Sequence, residues 1–121
     1  MAGVMENRAK LFCFELKVAD HAWFTIEWRR SKQWGTNAVI CNKAGEKMVL
    51  ITGYGFDKES TAVAQLLTHL FDDGFSAHGG CGMNIVTRRL KEKGWILINT
   101  HRGAREDGYY IRRATPEDMK N

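Results

Sequence analysis

Apolar and polar residues alternate through much of the first half of the chain. Within 11–18, every second side chain from Phe12 to Val18 is apolar, which is the period of a half-buried strand, and 22–30 repeats it. Two short apolar runs follow, 37–42 and 47–52, separated by a turn that contains a glycine. Because the links are short, these four strands are predicted to pair as an antiparallel meander.

The second half of the chain changes to a helical period. Over 61–71 apolar residues recur at spacings of three and four, with polar residues on the other side. This predicts an amphipathic helix that covers the sheet, capped by Asp57 or Ser60 and ended by Gly74. A shorter helix with a glycine directly after it is predicted over 83–93.

Two further strands, 95–100 and 109–113, predict a closing hairpin. The expected fold is therefore α+β, with a four-stranded antiparallel meander, two helices and a C-terminal β-hairpin. Residues 10–114 are expected to form this single domain, between a flexible N-terminus over 1–9 and a flexible tail over 115–121.

Composition sets limits on the class of protein. With 121 residues, 44% of them hydrophobic and 26% charged, the chain has the character of one globular domain. No apolar run approaches the roughly 20 residues that cross a bilayer, and 1–9 lacks the apolar centre of a signal peptide. We therefore expect a cytoplasmic protein that makes no membrane contact.

Three cysteines, Cys13, Cys41 and Cys81, are too widely spaced for a disulfide framework or a zinc site with paired ligands. Reduced thiols are expected, with no metal and no cofactor. Two residues separate His78 from Cys81, so this pair could act as base and nucleophile in a cysteine-dependent enzyme. The surrounding glycines fit equally well with a tight turn, and a non-enzymatic role is the favoured interpretation.

Two glycine-rich loops, 52–61 and 78–83, each lead into a predicted helix. Glycine permits positive φ or close approach of the backbone, and a helix start presents N–H groups that suit an anion. Neither loop is a complete nucleotide-binding fingerprint, because Lys58 stands where a G-x-G-x-x-G motif needs its last glycine. The alternative is a structural role for both loops. The candidate anion-binding residues are Gly53, Gly55, Lys58, Ser60, Thr61, Gly80 and Gly82.

The net charge of +4 is concentrated in the last third of the chain. Residues 84–113 contain eight Lys or Arg against three acidic residues, an excess of five positive charges, while the other 91 residues contain ten basic and eleven acidic ones. A basic helix followed by a basic hairpin suits nucleic acid or another polyanion, and the alternative is a merely solvated basic face. The candidate contacts are Arg88, Arg89, Lys91, Arg102 and Arg105.

Aromatic residues are interleaved with charge in 23–30 and again around Trp34. The alternation places Trp23 on the opposite face of its strand from the core-facing Phe24. An exposed aromatic can anchor a protein partner, which makes Trp23 and Trp34 candidate partner-binding residues. The alternative is that a second layer of structure covers them.

The segments Trp34-Gly35, 52–64, 79–83 and Lys93-Gly94-Trp95 together resemble a group of small proteins encoded by phages, prophages and other mobile elements of gut-type bacteria. The resemblance extends over most of residues 28–113, and the glycine-bracketed helix starts are its specific part. That group has no assigned activity. The resemblance therefore implies a mobile-element origin and a non-housekeeping role, and no catalytic residue.

The resulting expectation is a small non-enzymatic protein that binds nucleic acid or another polyanion through its basic C-terminal third. The alternative is an inhibitor or adaptor that binds a host protein through its aromatic strand. A cysteine-dependent enzyme using Cys81 is the third interpretation.

Overall fold

A computed structural model of the chain describes residues 2–30, 36–51, 58–71, 82–100 and 106–120. These residues form three helices and a five-stranded antiparallel sheet, so the predicted α+β class is confirmed. The helices are α1 (Ala2–Ala19), α2 (Lys58–Leu67) and α3 (Met83–Glu92). The strands are β1 (His21–Arg30), β2 (Thr36–Asn42), β3 (Lys47–Ile51), β4 (Trp95–Asn99) and β5 (Glu106–Arg113).

The strand order is β3-β2-β1-β5-β4. The predicted meander is correct for β1, β2 and β3, which pair in sequence, and the predicted C-terminal hairpin is β4 with β5. The two parts join because β5 pairs with β1. β5 therefore occupies the position beside β1 where the sequence pattern predicted a strand over 11–18.

The prediction of a strand over 11–18 is wrong, since the segment lies in α1. Ala9, Phe12, Cys13 and Leu16 are buried at the spacing of one helical face. The expected N-terminal segment 1–9 contributes the first half of this helix from Ala2 onward. Asp20 ends α1 with a φ of 68°, and its N–H donates to the Leu16 carbonyl.

The other two helices match their predictions more closely. α2 begins at Lys58 and ends at Leu67, before a turn. Ser60 is therefore inside the helix, where it is 1% exposed, and does not cap it. Asp57, the other predicted cap, lies outside the described residues. α3 ends where expected, because Gly94 follows it with a φ of 93°, which glycine adopts without strain.

All three helices pack on one face of the sheet, the inner face, and share one core with it. At its centre, the Phe24 ring stacks on Tyr109 at 5.3 Å and meets the edge of Phe12 at 5.9 Å between centroids. The opposite face, the outer face, carries the alternate residues of the same strands. Its aromatic residues in β1 and β5 are His21, Trp23 and Tyr110.

The chain after β5 folds back on the outer face. Arg112 donates two hydrogen bonds to the Asp118 carboxylate, at 2.7 and 3.1 Å, and Thr115 donates two more to the same group. Residues 116–119 form a turn around this pair. The segment 115–121, expected as a flexible tail, thus contains an ion pair with β5.

Candidate binding surfaces

The outer face of the sheet presents an aromatic pair to solvent. Trp23 of β1 lies directly opposite Tyr110 of β5, and their ring centroids are 4.6 Å apart with a tilt of 34°. His21 lies against the same tyrosine at 5.9 Å. Trp23 remains 45% exposed, so a second layer does not bury it as the alternative interpretation supposed.

A groove of about 380 Å³ runs along the outer face beside Trp23. The strand pairing forms its floor, since Thr25 of β1 lies between Cys41 of β2 and Gly108 of β5. Lys43, in the turn between β2 and β3, lines the groove as well. The floor is low because residue 108 has no side chain. A Cβ there would come within 2.8 Å of the Thr100 hydroxyl.

Trp23 also lines a second groove, of about 470 Å³, between α1 and the turn after β2. Leu11 and Glu15 of α1 form one side, and Lys43 and Ala44 form the other. One exposed indole is therefore shared by two concave surfaces. This combination of a rigid aromatic ring and adjacent recesses is typical of protein-binding surfaces.

The predicted nucleic-acid residues divide into three groups. Arg88 and Lys91 are exposed on the face of α3 opposite its buried Val86 and Leu90. Neither forms an ion pair within the part of the chain that the structure describes. Arg89 is half-buried on the same helix. Arg102 and Arg105 lie outside the described residues.

Several other cations of the basic third have partners. Arg112 is held by Asp118, and its hydrogen bonds, with those from Thr115, keep the pKa of the Asp118 carboxyl well below its usual range. Arg113 donates to Asp20 at 3.1 Å and lies 4.1 Å from the centre of the Trp95 ring. Lys93 lies 5.3 Å over Phe71. The positive charge open to a ligand is thus smaller than the sequence count suggested.

The predicted anion loops fall mostly outside the described residues, as do Gly53, Gly55, Gly80 and the candidate partner residue Trp34. Lys58 begins α2, followed by the buried Ser60 and the half-buried Thr61. Gly82 precedes α3 with a φ of −78°, and a Cβ built there meets nothing within 4 Å. The reasons that favoured glycine, positive φ or close backbone approach, therefore do not apply to Gly82.

The thiols that the structure describes are both buried. Cys13 donates to the Leu66 carbonyl at 3.3 Å, and burial raises the pKa of its thiol to about 12 against the opposing effect of Lys17. Cys41 lies on the floor of the outer groove. His78 and Cys81 lie outside the described residues. Among the residues that are described, no cluster of His, Cys, Asp and Glu has the size of a metal site.

Comparison with family models, curated proteins and solved structures finds no match to this chain. In addition, none of the described helices combines the length and apolar character needed to span a membrane. The geometry of the surfaces themselves therefore carries the functional argument.

Three features of these surfaces had not been predicted from the sequence: Tyr110, Gly108 and the ion pair of Arg112 with Asp118. The first two depend on the pairing of β1 with β5, which joins segments more than 80 residues apart. Local periodicity contains no signal for such a pairing. The sequence does show that Tyr110 lies two residues after Gly108, which places both residues on the same face of a strand.

Proposed function

We propose that this chain is a non-enzymatic protein-binding module that holds its partner on the outer face of the sheet, around Trp23. The main supporting observation is the exposed Trp23 ring, fixed against Tyr110 and bordering a groove of about 380 Å³. Tryptophan and tyrosine offer large contact areas with little conformational entropy to lose, so they dominate the energetics of many interfaces.

The groove favours an apolar side chain of the partner beside the indole. Its floor of Thr25, Cys41 and Gly108 is uncharged, and its lining also contains one residue of each charge, Glu27 and Lys43. In keeping with the resemblance to mobile-element proteins, the proposed partner is a host protein that the module blocks or adapts.

A photo-crosslinking experiment tests this function. A benzophenone amino acid replaces Lys43 at the groove, and the control replaces Glu92, an exposed residue of α3 on the other side of the sheet. In a bacterial host lysate, the Lys43 position is expected to give a discrete crosslinked product that the Glu92 position lacks. Equal products at both positions, or none at Lys43, would argue against the proposal.

Affinity measurements with the purified crosslinked partner then locate the contact. Trp23→Ala is expected to weaken binding about 30-fold or more, since truncating a tryptophan hot spot costs about 2 kcal/mol or more. Glu92→Ala, which removes an exposed side chain from α3 on the other side of the sheet, should leave affinity unchanged. Unchanged affinity for Trp23→Ala would remove the outer face from the interaction.

Filling the groove gives a second, independent test. Gly108→Ala combined with Thr100→Ala adds a methyl group to the floor and removes the hydroxyl that the new Cβ would meet. This double variant is expected to lose partner affinity while retaining its fold. The control is Thr100→Ala alone, which should bind normally.

A second candidate function, nucleic-acid binding, is supported by the exposed Arg88 and Lys91 on α3, for which the described residues provide no ion pair. If these side chains contact phosphates, the logarithm of affinity should fall linearly with the logarithm of salt concentration, with a slope of roughly −0.7 to −0.9 per phosphate. Arg88→Gln with Lys91→Gln should then make the slope shallower for every sequence. Absence of any complex at low salt and micromolar protein would leave the protein-binding function alone.

A further inference from the structure

Helix α1 has two apolar faces, and only one of them packs on the sheet. The buried face consists of Ala9, Phe12, Cys13 and Leu16. The second face, here called the α1 stripe, consists of Val4, Leu11, Phe14 and Val18, which are 42%, 55%, 64% and 71% exposed. At about 100° per residue, the centres of the two faces lie roughly 170° apart around the helix. The stripe therefore points directly away from the sheet.

The spacing of the α1 stripe is that of a coiled-coil seam. Val4, Leu11 and Val18 follow one another at intervals of seven residues, and Phe14 lies three residues after Leu11. These are the a and d positions of a heptad repeat. Asn7, also exposed, occupies the remaining d position, so the seam contains one polar residue.

Charges beside the stripe distinguish between possible partners and orientations. Lys10 and Glu15 lie on opposite flanks of the stripe and five residues apart, at g and e positions. In a parallel pair of such helices, each g residue meets the e residue five positions later in the other helix. Two copies of α1 therefore gain two Lys10–Glu15 pairs, which compete with the exposed contact of Lys10 with Glu6 in its own helix at 3.5 Å. The parallel arrangement brings no like charges together at these positions. Within the described part of the chain, Glu15 has no ion pair of its own.

The antiparallel arrangement is less favourable. It brings Lys10 of one copy to Lys17 of the other, which is repulsive. The attraction that it offers, between Arg8 and Glu15, competes with the contact that Arg8 already makes with Glu46 at 3.6 Å. The stripe is thus complementary to itself in the parallel orientation.

We propose that this chain forms a parallel homodimer through α1, with the α1 stripes of two copies packed in register. Asn7 pairs with Asn7 of the second copy, and Lys10 pairs with Glu15 of the second copy. The seam is short, so the dimer is weak, with a Kd of roughly 1 to 100 µM. Because each copy carries its own outer face, the dimer presents two of them and binds a multivalent partner with increased avidity.

Sedimentation over roughly 1 to 300 µM protein, a range that brackets the expected Kd, tests the proposal. The unmodified chain is expected to pass from monomer to dimer, and Phe14→Glu to remain monomeric with an unchanged circular dichroism spectrum. Met119→Glu, which places the same charge at an exposed apolar site outside the α1 stripe, should dimerise normally. A chain that stays monomeric at every concentration would overturn the proposal, as would normal dimerisation of Phe14→Glu.

Charge exchange tests the orientation without removing any apolar side chain. Lys10→Glu and Glu15→Lys should each weaken the homodimer, because each creates two like-charge pairs. An equimolar mixture of the two variants should form a heterodimer, and the double variant should recover dimerisation. Stronger dimerisation of Lys10→Glu alone would indicate the antiparallel arrangement, in which its glutamate meets Lys17, and would contradict the parallel one.

Discussion

Two aromatic pairs occupy neighbouring positions of the same two strands and have opposite environments. Phe24 and Tyr109 lie opposite each other on the inner face, where both are fully buried. Trp23 and Tyr110 lie opposite each other one residue away, on the outer face, where the tryptophan is 45% exposed. Both pairs bring their rings close together, at 5.3 and 4.6 Å between centroids.

The difference shows how one pair of strands can supply both stability and a binding surface. The inner pair is covered by α1, whose Phe12 contacts Phe24, so its burial contributes to the free energy of folding. The outer pair leaves apolar area in contact with water, and this area can be buried only when another molecule arrives. Contact between the rings also holds Trp23 in place before binding, which reduces the entropy lost on association.

The largest expected effect concerns the inner pair. Phe24→Ala should lower the free energy of unfolding by about 3 to 5 kcal/mol, because it leaves a cavity between α1 and the sheet. Urea denaturation followed by circular dichroism measures this loss. A cost below about 1 kcal/mol, in the range of ordinary surface substitutions, would show that the inner face is not the main core.

Thiol reactivity offers a second measure of the same contrast. Cys13 is 1% exposed on the inner side and has its pKa raised to about 12, whereas Cys41 is 7% exposed on the floor of the outer groove. In a Cys81→Ser background, alkylation of Cys41 should be about tenfold faster or more, since Cys13 reacts only through larger openings of the structure. Faster reaction of Cys13 would contradict the assignment of the two faces.

The Cys13 thiol also predicts a pH dependence. Its folded-state pKa is above the value of 9.0 for an unburied thiol, so its stabilising effect is complete below about pH 9 and is lost as the pH rises towards 12. Cys13→Ala should therefore show a smaller loss of stability between these pH values than the unmodified chain.

The two faces of α1 explain the main error of the sequence prediction. Of the apolar residues that alternate within 11–18, two belong to the buried face, Phe12 and Leu16, and two belong to the exposed stripe, Phe14 and Val18. Taken together they alternate like a strand, although each pair belongs to a different side of a helix. A helix with apolar residues on both sides gives only a weak 3.6-residue period in its sequence. The exposed stripe that suggests a dimer is therefore also the reason that the helix was not predicted.

The outward position of Trp23 could be predicted, because alternation within β1 places it opposite Phe24. Its contact with Tyr110 could not, because the pairing of β1 with β5 depends on which distant strand fills the sheet edge. The positive charge that the basic C-terminal third offers to a ligand was overestimated for a related reason. Sequence shows Arg112 and Arg113 as charges, but not that Asp118 and Asp20 lie beside them.

Trp23→Ala should have a much smaller effect on stability than Phe24→Ala. An exposed cross-strand aromatic pair contributes about 0.2 to 1 kcal/mol to the free energy of unfolding. The same urea titration measures the free energy of unfolding of both variants. A large difference between the two losses would show that the inner face stabilises the fold and that the outer face contributes little to stability. A loss of more than about 3 kcal/mol in the free energy of unfolding would mean that Trp23 packs in a core and serves mainly to stabilise the fold.

The smallest expected effect concerns acid and is confined to the outer face. Asp118 has a pKa below its ordinary value of 3.8 because Arg112 and Thr115 donate hydrogen bonds to its carboxylate. Its stabilising contribution is therefore present above about pH 4 and is lost as the pH falls through the lowered pKa. The C-terminal turn should loosen there, freeing Arg112 on the outer face while the Phe24–Tyr109 pair stays packed.

The amide resonance of Thr115 provides the measurement, since its N–H donates to the Asp118 carboxylate at 2.8 Å. Its pH titration by NMR should show an inflection well below 3.8, and Asp118→Asn, the matched control, should abolish that inflection. The indole resonances of Trp23 should follow the same titration only weakly, because Arg112 pairs across the sheet with His21 and not with Trp23. An inflection at the ordinary aspartate value would mean that the Arg112–Asp118 pair does not hold the turn in solution.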